Sequence, residues 1–102
     1  MRKLRDFKEG LLEDLKDQVY AQNYLSVALE EYDKDLDASA FLMALRDVTE
    51  ARGGITQLAN KTHLNRQNLY KTLSAKGDPK VHTVESVLHG LGYRLSVVPV
   101  DE

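Results

Sequence analysis

From about Glu13 the apolar positions fall at helical spacing. Leu15 and Val19 lie four apart, as do Tyr20, Tyr24, Ala28 and Tyr32, while Ala21, Leu25 and Leu29 form a second row beside them. Side chains four apart share one side of a helix, and two adjacent rows make a side wider than one partner helix normally covers. Either this helix meets both its own domain and a second surface, or it sinks deeply into a small core. Upstream, the first dozen residues show no clear period and are expected to form a short arm. Downstream, DKDLD at residues 33–37 interrupts the pattern, and a second helix is predicted from about Ala38 with Asp37 as its N-cap.

Phe41, Leu45 and Val48 give that helix its buried stripe, and Gly53-Gly54 stops it, because glycine accepts the left-handed dihedrals of a helix exit. A short helix is predicted from about Thr56 to Thr62. His63-Leu64-Asn65 is a break, and Asn65 caps another short helix from Arg66 to Ser74. The following loop to Lys80 is punctuated by Gly77 and Pro79. Thr83 is the expected cap of a fifth helix, in which Val84, Val87, Leu88 and Leu91 share a side, and Gly90 and Gly92 end it. Tyr93 to Val98 alternates large apolar and polar residues over its first five positions and is predicted to be a strand. A lone strand cannot satisfy its own backbone, so it must pair with the N-terminal arm or with a neighbouring subunit. The expected fold is all-α, five helices with one short C-terminal β-strand.

At 102 residues the chain is long enough for one domain with its own core, and 42% hydrophobic against 29% charged residues is too balanced for a disordered chain. Cysteine is absent, which removes disulfides, thiolate catalysis and cysteine-based zinc sites. The longest apolar runs span only a few residues, and the charged start MRKLRDFKEG lacks the apolar stretch of a signal peptide. A soluble cytoplasmic protein with no membrane partner is expected.

Net charge is −2, but it is unevenly spread. Residues 1–36 carry −3, residues 37–53 carry −1 and residues 81–102 carry −2. Residues 54–80 carry +4, with Lys61, Arg66, Lys71, Lys76 and Lys80 against the single Asp78. A local cationic side is what phosphate binding requires, whatever the total charge. On charge alone, chance clustering on a solvated side fits equally well.

The stretch ITQLANKTHLNRQNLYKTLS, residues 55–74, adds chemistry to that charge. Two short helices joined by a three-residue break can cross steeply where a small residue, Ala59, lets the axes approach. Leu58, Leu64, Leu69 and Leu73 fall where apolar anchors are needed. The outward side of the second helix is then left to Arg66, Gln67, Tyr70 and Lys71, with Asn68 toward one edge. Arg and Lys pair with guanine O6/N7, Gln and Asn with adenine N6/N7, and a helix of this width fits the major groove. The N-terminal amides of both helices can hold phosphates, helped by Gln57 and Asn65, and Lys76 and Lys80 flank the loop where a further phosphate would lie. Tyr70 suits a thymine methyl or a phosphate, or packing against its own domain.

This segment resembles the helix-turn-helix of the Xre/Cro group of phage-type repressors. More narrowly, residues of about 20–98 are similar to the HigA-like addiction-module antidote family. The resemblance rests on Tyr24-Leu25, Ala28-Leu29, Ala44-Leu45, Ala51-Arg52-Gly53, Leu58-Ala59, Leu69-Tyr70-Lys71-Thr72-Leu73-Ser74, Gly77-Asp78-Pro79 and Leu91-Gly92-Tyr93-Arg94-Leu95 in that order. It implies a repressor-like domain over residues 37–102, preceded at 1–36 by an arm and amphipathic helix as the candidate dimer or toxin-contact region. It implies a homodimer that binds a palindromic operator on double-stranded DNA and represses its own operon. It also implies that the dimer neutralises a small basic toxin of RelE/HigB-like type, and the acidic residues 1–53 offer such a toxin a complementary surface. A stand-alone Xre-type repressor without a toxin is the alternative. Where such motifs usually carry glycine at the turn, this chain has His63, so an altered or strained turn is expected.

Other chemistry finds little support. Gly53-Gly54 lacks the preceding strand and following Lys-Ser/Thr of a phosphate loop. His82 and His89 have no carboxylate completing a ligand set at metal spacing. Glu13-Asp14 and Glu30-Glu31 are adjacent and point apart, which is wrong for paired acid–base work. No metal, no cofactor and no enzymatic activity is expected.

Overall fold

A computed structural model describes residues 4–100. Six helices follow one another: α1 (Leu4–Asp14), α2 (Gln18–Asp35), α3 (Ser39–Ala51), α4 (Gly54–Thr62), α5 (Arg66–Thr72) and α6 (Val81–Gly90). The all-α expectation holds, but the helices number six and no strand occurs among the described residues.

The additional helix is α1, over residues expected to form an arm; residues 1–3 of that arm lie outside the described part. Six charged residues and Gly10 among its eleven blur the period, yet Phe7, Leu11 and Leu15 lie four apart. Leu11 packs against the core and Leu15, in the turn after the helix, is fully buried. α1 rests on α3, where Lys8 and Glu50 form an exposed ion pair at 3.2 Å. The turn ends at Asp17, whose Oδ1 accepts the amides of Val19 and Tyr20, both at 2.9 Å, and this cap starts α2 at Gln18 instead of near Glu13.

α2 lies along α3 in the most extensive helix–helix contact of the molecule. Ala21, Leu25 and Ala28 are buried against it, and the flanking Tyr20, Val27, Leu29 and Tyr32 are exposed. The wide apolar side is therefore covered only along its middle. α3 starts at Ser39 with Ala38 at its N-cap position and no side-chain cap, so Asp37 is not the cap that was predicted. One residue upstream of Ala38, Asp37 accepts the Ser39 amide at 2.9 Å and the Ser39 hydroxyl lies 2.7 Å from the same oxygen. These two hydrogen bonds, the hydroxyl's foremost, hold the Asp37 carboxyl below its ordinary range. α3 runs through the middle of the core: Phe41, Leu42, Ala44, Leu45 and Val48 are all buried, joined by Leu58, Leu69, Leu73, Val87, Leu88 and Leu91 from the later elements.

The Tyr24 hydroxyl clasps α2 to α3 by donating to Asp47 Oδ2 at 2.7 Å. Burial first, then this bond and the charge of Asp47, push the phenol up from 10.0 to about 12. A phenol whose folded value is raised adds stability below pH 10 that is lost as pH climbs toward 12. Chemical denaturation of wild type and Tyr24→Phe across that range should show the wild type losing stability more steeply. Parallel curves would contradict the clasp.

Gly53 and Gly54 have φ of 117° and 87°, so the predicted glycine stop after α3 is present. α6 begins at Val81 behind Lys80, two residues before the predicted cap Thr83. Tyr93–Val98 is not a strand, and the reason is physical. The arm that could have paired with it is helical, so within the described chain nothing offers it a hydrogen-bonding edge. Only its start is tied down. The Tyr93 hydroxyl donates to the Gln18 carbonyl at 2.7 Å and accepts from Arg52 at 3.1 Å, and the Leu95 amide donates to Glu85 Oε2 at 3.2 Å.

Candidate functional site

α4 and α5 contain nine and seven residues, too few to persist on helical propensity alone. Their inner sides hold them. Leu58 and Ala59 of α4, Leu69 of α5 and Leu73 just beyond it are buried, and Leu64 between the helices packs against the same core. The turn is tight. His63 adopts φ 60° and ψ 21°, the left-handed conformation expected where glycine is usual; histidine tolerates it better than a β-branched residue would. Thr62 Oγ1 accepts the Leu64 amide at 3.3 Å, and Asn65 Oδ1 accepts the Asn68 amide at 3.1 Å, so Asn65 caps α5.

With Leu69 turned inward, Arg66, Gln67, Asn68, Tyr70 and Lys71 are all exposed on α5. Positions 66, 67, 70 and 71 share one side at 3.6 residues per turn, and Asn68 sits about 100° away from Gln67. Gln57 is exposed in the first turns of α4, and Arg66 reaches back to its neighbour Thr56, Nε donating to Oγ1 at 2.8 Å. The first residue of α5 is thus braced on the start of α4, which brings Arg66 and Gln57 to one region.

Two guanidinium groups lie over the Tyr70 ring, Arg66 5.3 Å and Arg46 5.4 Å from its centroid. The negative π face of the ring attracts both cations and limits how far they swing. The Tyr70 side chain stays 40% exposed beside these two cations. Arg46, from α3, was not legible as part of this surface. The Arg66–Tyr70 spacing of four can be read from the sequence, but nothing there ties Tyr70 to a residue 24 positions earlier.

Lys76 and Lys80 are exposed in the loop beyond α5, and neither has an ion-pair partner among the described residues. The loop itself is tethered. The Ala75 carbonyl lies 2.9 Å from the Ser39 hydroxyl, which shares its one proton between it and Asp37, and Gly77 sits so close to the Thr72 carbonyl that a Cβ would collide with it. Asn65 is exposed and spends its side-chain oxygen on the cap, so its amide nitrogen is the group left to donate. His89 is paired with Glu85 at 2.7 Å, away from this surface. The result is a surface of guanidinium, carboxamide and ammonium groups on braced elements, in the cationic stretch of residues 54–80. Its chemistry suits a polyanion.

A family model described as "Probable addiction module antidote protein" matches residues 5–99. A protein of Haemophilus influenzae (strain ATCC 51907 / DSM 11121 / KW20 / Rd), described only as uncharacterized, is 34% identical over 94 residues, which cover 92% of this chain and 90% of that protein. No solved structure matches the chain. Among the described residues, no helix is long and apolar enough to cross a membrane.

Proposed function

Because the chain belongs to the addiction-module antidote family, we propose that it is a DNA-binding antitoxin that neutralises a toxin and represses its own operon. Membership in an antidote family implies a toxin partner. The finer reading is a HigA-like member of the Xre/Cro group whose α4–α5 pair works as a helix-turn-helix, with the toxin a small basic RelE/HigB-like protein. One observation carries the DNA half: Arg66, Gln67, Asn68, Tyr70 and Lys71 are exposed together on a helix whose leucine is buried. Arg66, Gln67 and Lys71 reach base edges in the major groove, while Gln57, Asn65, Lys76 and Lys80 meet phosphates. Arg46 joins the phosphate contacts through its place beside Tyr70.

A palindromic operator requires a homodimer that sets its two α5 helices one DNA turn apart, about 34 Å. The protein binds and does not turn over a substrate. Lys76→Ala should lower the slope of log affinity against log salt by about one unit and leave sequence preference unchanged. Fluorescence titration of upstream DNA at several salt concentrations reads both quantities.

The reading as a whole is tested by co-expression with the product of the adjacent gene, alongside a gel shift with the DNA upstream of the operon. Restored growth and a retarded band are the expected results. A band without rescue favours a stand-alone repressor, and rescue without a band removes the DNA half of the proposal.

A further inference from the structure

A groove runs between α2 and α3, floored by Tyr20, Tyr24, Val27 and Ala28 from α2 and by Ala40 and Ala44 from α3. The two alanines keep the α3 wall low, so the large side chains of α2 stand clear of it. Val27 is 58% exposed and Tyr20 45%, a costly display of apolar surface for a helix that already has a covered side. The groove's polar lining is Asn23 and Glu31, and the C-terminal end of α2 beside it also carries Glu30, Asp33 and Asp35; Asp47 of α3 is bonded to the lining Tyr24. Lys34 is the cation of that end and is paired with Glu31 at 3.4 Å.

We propose that this groove is where the toxin docks, by seating a helix or strap that is apolar on one side and rich in Lys and Arg along its flanks. The inference rests on the antitoxin reading and names the surface that performs it. Apolar floor and acidic edge together select the occupant. Duplex DNA is repelled by the carboxylates and has no apolar side to offer. A second copy would place the same carboxylates against one another, because α2 carries Glu30, Glu31, Asp33 and Asp35 against Lys34 alone. A basic partner meets both features at once, and the groove then accounts for the Tyr20–Val27 flank of α2 that α3 leaves open.

Val27→Lys tests this without disturbing the core, since Val27 is exposed. Purified wild type, Val27→Lys and Tyr20→Ala are titrated with the toxin encoded beside this chain, and each is also run against upstream DNA and in light scattering. Val27→Lys is expected to weaken toxin binding by about a hundredfold and Tyr20→Ala by about tenfold, as centrally placed interface anchors do. Growth rescue should fail for Val27→Lys while its melting temperature and DNA shift match wild type. Wild-type toxin affinity in both variants would overturn the proposal. So would a Val27→Lys chain that turns monomeric yet still binds toxin, which would assign the groove to a second copy. If the wild-type chain fails to bind that toxin, the antitoxin reading itself falls, an outcome distinct from loss confined to the groove variants.

Discussion

Replacing Leu69 by alanine is expected to lower the unfolding free energy by about 2–5 kcal/mol. Leu69 is 1% exposed and is the buried residue of α5, which has only seven residues and no second apolar anchor before Leu73. Its loss leaves a cavity among core side chains and frees a helix that cannot persist alone. For a domain of this size the melting midpoint should drop on the order of 10 °C or more. Gln67→Ala, two residues away and exposed, should stay within about 0.5 kcal/mol of wild type. Thermal melts of the two variants separate an anchored α5 from a loosely attached one. A Leu69→Ala cost near that of Gln67→Ala would mean that α5 does not depend on the core beneath it.

Arg66→Ala should weaken operator binding by about 1–3 kcal/mol, or roughly 5- to 150-fold, and relax preference at one base position. Three features make Arg66 the most exposed to loss. It opens α5, its Nε is braced by Thr56, and its guanidinium is held 5.3 Å from the Tyr70 ring. A preorganised guanidinium loses less freedom on meeting a polyanion, so removing it sacrifices both the contact and the prior ordering. Tyr70→Phe keeps the ring and should bind within a fewfold of wild type, whereas Tyr70→Ala releases Arg46 and Arg66 and should approach the Arg66→Ala loss. Equal affinity for Tyr70→Ala and wild type would show that the stacking has no part in recognition.

The α4–α5 pair was legible because its signals are local. Asn65 can be recognised as a cap, Gly53-Gly54 as a stop and Leu58, Leu69 and Leu73 as anchors from their spacing alone, and His63 takes the left-handed dihedrals that its position demands. What failed was non-local or obscured. α1 hides its Phe7–Leu11–Leu15 row among charged residues, and once that segment is helical the C-terminal alternation has no edge to join. Alternation records only a willingness to pair; a strand also needs a partner. The wide side of α2 was legible, but which part α3 would cover depended on the crossing of two helices and on the small residues Ala40 and Ala44. Arg46 belongs to the same class, since only folding carries it to Tyr70.

The central claim is that the outward side of α5 reads duplex DNA, and its most direct measurement is a titration of upstream DNA with wild type and with the Arg66→Ala/Lys71→Ala double variant at one salt concentration. Two independent losses should add to a weakening on the order of thirtyfold or more, with an unchanged melting temperature. Wild-type affinity in the double variant would contradict the account.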